Sequence, residues 1–190
     1  MIEHEVNKQD TFIKGWYINS SICDYLVDLY WKPTTIKNEG VSQNPEGPTP
    51  EIKDSIDAVI PPNIQIIQPY LSQLKLCLDE YNNIFGFSSG TKGYSVKEPM
   101  NIQHYKIGGG FKKWHSERAS SDEFIRDRHL VFMTYLNDVD DGGTEFFHQK
   151  LTIKAEKGLT LIWPADWTYT HKGQISNTKE KTIITGWLSY

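Results

Sequence analysis

At 190 residues, with 13% aromatic residues including six tryptophans and a net charge of −4, the chain can bury one ordinary core and is too ring-rich for a disordered segment. No lysine- or arginine-rich block occurs, so a groove that tracks nucleic-acid phosphates is not expected. Cys23 and Cys77 are too few and too far apart for a thiolate metal cluster, and neither lies in a CxxC pair. Two reduced, mostly buried thiols in a cytoplasmic protein are expected. Residues 1–5 lack a basic stretch followed by an apolar one, and no run reaches membrane-spanning length, so a soluble intracellular protein with no membrane contact is expected.

Residues 20–31 open with Ser20 and Ser21 as candidate caps, and Ile22, Leu26, Leu29 and Tyr30 follow at helical spacing. The stretch from Pro33 to about Pro50 is rich in Pro, Gly, Asn and Thr and reads as a long loop, mobile or packed over something functional. Residues 33–60 are thus a candidate lid. After Pro61-Pro62 a second helix fits residues 63–82, with Ile64, Ile67, Tyr70, Leu71, Leu74 and Leu78 near one face. From about residue 99 short β-branched and aromatic segments alternate with turn residues, predicting strands at 101–107, 112–117, 128–137, 144–148, 151–154, 159–163, 169–175 and 181–188. Such a pattern suits a double-sheet jelly roll or a small barrel, with the two helices covering one sheet face. One domain is expected, residues 1–98 as helical support and loop and residues 99–190 as the β core.

His115-Ser116-Glu117 puts an imidazole and a carboxylate on the same face if the segment is extended. His171, on a later predicted strand, supplies a second imidazole. Two histidines and one carboxylate form a facial triad that leaves three adjacent metal positions open, as oxygen chemistry at iron requires. A structural zinc site would close its fourth position, usually with sulfur, and no thiol is near in sequence. Lys181 opens the last predicted strand ten residues after His171, and alternation puts it on one face with Ile183, Thr185 and Trp187. A lysine on that apolar face is placed to meet an anion, such as the far carboxylate of a dicarboxylate that chelates the metal.

From Asn101 to Tyr190 these residues resemble the prolyl 4-hydroxylase-like branch of the iron(II)/2-oxoglutarate dioxygenases. Gln103-His104-Tyr105-Lys106-Ile107-Gly108 is similar to the QxYxxG strand of that branch, and His115-Ser116-Glu117 to its HxD/E ligand pair. Residues 128–137 resemble the RxxTxxxYLN strand, and residues 141–147 the GGxTxFP turn. His171, Lys181 and Trp187 match the distal histidine, the 2-oxoglutarate cation and a tryptophan six residues beyond it. Glu117 stands where most of the branch has Asp, Val131 where it has Thr, and Phe147 where it has Pro; the glycine pair is offset by one position.

The resemblance implies an α+β fold with a double-stranded β-helix (jelly roll) core and N-terminal helices packed on one sheet. It implies metal ligands His115, Glu117 and His171, and co-substrate contacts from Lys181, Tyr105, Tyr135 and Thr144. It implies Fe(2+), 2-oxoglutarate and O2, with ascorbate as a candidate reductant, and hydroxylation of a C–H bond in a peptide, protein or small molecule, peptidyl proline first.

His104, by alternation with Tyr105, should face away from the site, and His129 and His148 should be surface or packing residues. Trp114, Arg118, Arg128 and Trp167 flank the metal segments and are candidate substrate contacts. Gly108-Gly109-Gly110 has no GKS or GKT after it and reads as a flexible turn at the cavity mouth, not a phosphate loop. Asp138, Asp140 and Asp141 lack EF-hand spacing and read as a turn. The competing class is a metal-binding jelly-roll module without turnover, which leaves Lys181 and Tyr105 unexplained. Nucleobase repair would expect arginines after His171, and residues 172–190 contain none.

Overall fold

A computed structural model describes residues 11–41, 47–90 and 93–190. Residues 1–5, read above for a targeting signal, and residues 42–46 within the 33–50 loop lie outside the described residues. The elements run β1 (Lys14–Tyr17), α1 (Ser20–Trp31), β2 (Asn38–Glu39), β3 (Lys53–Asp54), β4 (Ile56–Ile60), α2 (Gln68–Ile84), β5 (Met100–Tyr105), β6 (Gly110–Phe111) and α3 (Glu123–Arg126). They continue with β7 (Arg128–Tyr135), β8 (Val139–Phe146), β9 (Leu151–Ala155), β10 (Leu159–Pro164), β11 (His171–Gly173) and β12 (Lys181–Ser189). No helix among the described residues is long and apolar enough to cross a membrane.

The first helix starts one residue earlier in its cap than the two serines suggest. Asn19 is the N-cap, its side chain accepting from the Ser21 N–H at 3.0 Å, and Ser20 and Ser21 lie inside the helix. Pro69 sits in the first turn of α2, where a missing N–H costs nothing, and Tyr70, Leu74, Cys77 and Tyr81 form its buried stripe. Leu71 and Leu78 are only partly buried and Ile64 is exposed. Both cysteines are free and buried, and burial pushes each thiol up to about 11, so neither is a reactive thiolate.

Seven antiparallel strands form the major sheet in the order β1-β10-β7-β12-β5-β4-β2, and β11-β8-β9 form the minor one. This is the α+β jelly roll with helices on one face. Alternation assigns each side of the major sheet. Ile102, Leu130, Phe132, Ile184 and Leu188 pack with α1 and α2, while Tyr105, Val131, Met133, Tyr135 and Ile183 pack toward Phe146 and Val139 of the minor sheet. Thr134, on the helix side, has its hydroxyl satisfied by Tyr70 at 3.0 Å and Thr160 at 2.7 Å.

Three expectations need correction. The N-terminal half is not only helix and loop: β1, β2 and β4 extend the major sheet at both edges, and β3 pairs with β6. Within the 33–60 segment Asn38–Glu39, Lys53–Asp54 and Ile56–Ile60 are thus tied into sheets. Residues 112–117 do not form a strand, because Lys112 N–H bonds Ile52 O while Arg118 N–H bonds Ala165 O, leaving only an isolated bridge between His115 and His171. The strand expected at 144–148 begins earlier and ends at Phe146, and His148 falls in the turn that follows.

The glycine pair in the middle of β8 has a steric cause. A Cβ on Gly142 would meet Val139 Cγ1 at 2.6 Å, and one on Gly143 would meet the Ile153 carbonyl oxygen at 2.3 Å. The second obstacle is backbone and cannot rotate away. Gly143→Ala should destabilise the protein by about 1–3 kcal/mol, as overpacking does. Calorimetry should then show a melting temperature lowered by several degrees, about 2–4 °C per kcal/mol at this size.

Candidate metal centre

His115 and Glu117 leave the short extended segment on the same side, and His171 opens β11 directly opposite, tied by reciprocal backbone bonds of 3.0 and 2.8 Å between the two histidines. His115 Nε2 lies 3.4 Å and His171 Nε2 3.5 Å from Glu117 Oε1, and one donor atom from each of the three residues falls within 4.8 Å of the others. The ring orientations are set from behind. His115 Nδ1 lies 3.0 Å from the Lys113 carbonyl and His171 Nδ1 2.8 Å from the Tyr169 carbonyl. A carbonyl can only accept, so each Nδ1 carries the proton and each Nε2 turns a lone pair toward the shared point. Phe111 stacks on His115 with centroids 3.6 Å apart.

Protonation suits metal binding. Burial by itself would raise the Glu117 carboxyl, but hydrogen bonds and charge from His115 and His171, supplied when those rings are also protonated at Nε2, hold it well below the usual range. His171 is lowered by burial and by the neighbouring His115, so it stays neutral. Two imidazoles and a carboxylate converging on one point fit a divalent ion with open positions.

The second oxygen of Glu117 is oriented by residues from other strands. Trp187 Nε1 donates to Oε2 at 2.9 Å, and Arg128 Nη1 lies 3.6 Å from the same atom and donates to the Glu117 carbonyl at 3.1 Å. Arg128 also grips Glu98 through two nitrogens, at 2.9 and 2.6 Å, and stacks 3.5 Å over the Trp187 ring. Glu98 was not legible in the sequence. It lies before the first core strand in no motif, and only the fold brings it to Arg128.

Lys181 enters the cavity from the first position of β12, buried to 4% exposure. Its ammonium donates to the Gly142 carbonyl at 2.7 Å and the Gln174 carbonyl at 2.9 Å, and among the described residues no carboxylate lies within ion-pair distance. Burial lowers its pKa to about 8. A buried cation lacking an acidic partner is costly unless a ligand supplies the charge. Tyr105 and Tyr135 lie across from it in register with Lys181 and Ile183, and the Lys181 ammonium sits 5.3 Å from the Tyr105 ring centre. The Tyr105 hydroxyl donates to Gln103 Oε1 at 2.5 Å, and the Tyr135 and Thr144 hydroxyls share a 2.5 Å bond.

The three metal-site residues, Lys181, Tyr105, Tyr135 and Thr144 all line one cavity of about 700 Å³, together with Trp114, Arg128, Trp187, Val41, Ile52 and Lys53. The other sequence candidates stay outside it. His104 is buried on the helix side, bonded to Thr182 Oγ1 at 3.0 Å. His129 bonds the Ser88 carbonyl at 2.5 Å, and His148 is exposed against Trp167. Arg118 pairs with Asp166 and Trp167 is exposed, so neither lines the cavity, whereas Trp114 and Arg128 do. The glycine turn at 108–110 is braced, with Gly108 N–H donating to the Ser176 carbonyl at 2.8 Å.

Residues 100–189 match the 2OG-Fe(II) oxygenase superfamily. No curated protein sequence matches the chain. Among solved structures, the chain is similar to a viral collagen prolyl hydroxylase from Paramecium Bursaria Chlorella virus-1, with a TM-score of 0.68 and 18% identity over 94% of this chain and 96% of that one. It is similar to a Pseudomonas putida prolyl-4-hydroxylase, with a TM-score of 0.68 and 15% identity over 93% and 91%. It is also similar to a Trichoplax adhaerens prolyl hydroxylase in complex with a hypoxia inducible factor oxygen degradation domain peptide fragment, with a TM-score of 0.69 and 16% identity over 93% and 83%. The match to the 2OG-Fe(II) oxygenase superfamily thus covers the site-bearing residues, and the fold is the one these prolyl hydroxylases share. The protein is a hydroxylating dioxygenase that works with ferrous iron, 2-oxoglutarate and dioxygen.

Glu117→Ala and His171→Ala should each abolish turnover and weaken iron binding, and metal titration showing wild-type affinity would remove that residue from the ligand set. Zinc, cobalt and nickel should compete for the site and inhibit, since the divalent affinity order does not favour Fe²⁺. Burial lowers Lys181 to about 8, so if its ammonium pairs with a carboxylate of 2-oxoglutarate, that charge is present below this pH and must be regained on binding above it. Affinity for 2-oxoglutarate should therefore be flat below pH 8 and fall by about tenfold per pH unit above it. Calorimetric titration across pH 7–10 reads this directly.

Proposed function

We propose that His115, Glu117 and His171 hold the ferrous ion, that Lys181 receives the far carboxylate of 2-oxoglutarate with Tyr105, Tyr135 and Thr144 around it, and that the substrate is a peptidyl proline. The observation that carries this reading is the pairing of two backbone-oriented imidazoles and a carboxylate with a buried ammonium that has no acid of its own. A metal-binding module without turnover has no need of that ammonium, which burial penalises. The proline assignment is supported by the prolyl hydroxylases that share the fold, one of them bound to a peptide fragment. We also take the chain to act as one domain, since strands from both halves share the major sheet.

When bound, iron and 2-oxoglutarate supply the oxidation of a C–H bond by dioxygen, with release of succinate and carbon dioxide. The residues of this chain supply position and charge. His115 and His171 offer nitrogen lone pairs whose direction is held by the Lys113 and Tyr169 carbonyls. Glu117 is kept ionised and is held at its outer oxygen by Trp187. Lys181 orients the dicarboxylate by its far end, where Tyr135 and Thr144 have already oriented each other's hydroxyls. Arg128 and Trp187 lie on the same cavity wall, beside the space where the substrate would sit.

The test is succinate release with iron, ascorbate and 2-oxoglutarate against a panel of proline-containing peptides. Peptide-dependent release with hydroxyproline in the product is expected, and release that no peptide stimulates would remove proline as the target. Lys181→Ala should raise the apparent constant for 2-oxoglutarate by about two orders of magnitude or more, since a stranded buried carboxylate costs roughly 3–5 kcal/mol. A change of less than about fivefold, well below that range, would show that Lys181 is not the anchor.

A further inference from the structure

The run Asp138, Asp140 and Asp141, whose spacing rules out a calcium loop, contains one residue with an unusual set of partners. Asp141 Oδ1 accepts from Ser176 Oγ at 2.6 Å and from Thr178 Oγ1 at 2.8 Å, and Oδ2 accepts from the Asn177 N–H at 2.8 Å. Three donors on one carboxylate lower it to about 2, with the Ser176 hydroxyl the largest contributor. The residues so held belong to the loop between β11 and β12. The same loop is stitched to β8 by the Gln174 N–H, which donates to the Gly143 carbonyl at 2.8 Å, and by Gln174 Nε2, which donates to Glu145 Oε1 at 3.1 Å.

The two carbonyls that hold the Lys181 ammonium come one from each side of this seam, Gly142 beside Asp141 and Gln174 two residues before Ser176. Asp141 is also the acid whose field acts on Lys181, with no contact between them. We infer that Asp141 is a positioning residue for the 2-oxoglutarate anchor: by latching the 174–178 loop to the start of β8, it holds the pair of carbonyls that aims the Lys181 ammonium into the cavity. This rests on Lys181 being that anchor. Metal binding stands apart from the latch, because His115, Glu117 and His171 take their support from Lys113, Tyr169, Trp187 and Arg128.

The experiment compares two probes on the anaerobic, Mn(II)-loaded full chain by calorimetry: 2-oxoglutarate, and oxalate, which chelates the metal but has no far carboxylate. Asp141→Ala should weaken 2-oxoglutarate by about tenfold or more, the loss of several charge-assisted hydrogen bonds, and leave oxalate unchanged. Ser176→Ala combined with Thr178→Val removes two donors and spares the carboxylate, and should reproduce the loss if Asp141→Ala fails to fold. In a Lys181→Met background the effect of Asp141→Ala should vanish, since the two act as one unit. Unchanged 2-oxoglutarate affinity, an equal loss for oxalate, or a loss that persists without Lys181 would each overturn the inference. A wild-type protein that binds Mn(II) and oxalate but not 2-oxoglutarate would instead overturn the anchor assignment itself.

Discussion

The antiparallel pairing of β12 with β5 on one side and β7 on the other is the constraint from which the site follows. Lys181 stands opposite Tyr105, Ile183 opposite Gln103 and Tyr135, and Trp187 opposite Val131. A slip of one residue would send Lys181, Ile183, Thr185 and Trp187 under the helices and bring Ile184 and Leu188 into the cavity. Burial on the helix side opposes that slip, because Ile184, Phe132 and Ile102 are fully enclosed by α1 and α2. Helices α1 and α2 thus act on the candidate metal centre without lining its cavity.

Charge in the cavity is arranged in two ways that differ in what they ask of a ligand. Around Glu117 the protein closes its own account: Trp187, Arg128 and Glu98 form a connected polar set in which each group has a partner. At Lys181 it does not, and the ammonium is left with backbone carbonyls alone. The first arrangement fixes a ligand in place, as supporting shells of metal sites do. The second leaves a buried positive charge without an acid, at some cost to the protein, a cost that the far carboxylate of 2-oxoglutarate would offset under the proposed function.

Much of the site was readable because strand alternation is a strong local rule. Lys181 to Trp187 needed only a period of two, and the same rule put His104 away from Tyr105, as the structure has it. Helix α1 followed from the spacing of its buried residues, although its cap fell one residue earlier because Asn19 offers a carbonyl oxygen that reaches the Ser21 N–H. Strand β4 was hidden. Ile56 to Ile60 lies behind a long polar stretch and carries an aspartate, Asp57, at its second position, and that aspartate is tolerated because Lys53 meets it at 2.5 Å and Ser55 at 2.8 Å. A pairing between residues that are close in the fold and dispersed in polar sequence leaves no periodic trace.

The amino-acid order by itself determined which residue types could meet a metal and an anion, since side-chain chemistry and short-range spacing are local properties. It also determined the two faces of each central strand. Only the tertiary structure decided that His115 and Glu117 converge without a strand beneath them, because an isolated bridge to His171 and bonds to Ile52 and Ala165 hold that segment extended. Likewise Glu98, Gln174 and Asp141 became significant through partners that the fold brings to them, Glu98 by its ion pair with Arg128, Gln174 by the backbone carbonyl it offers Lys181 and Asp141 by the Ser176 hydroxyl, and such meetings across loops leave no local motif.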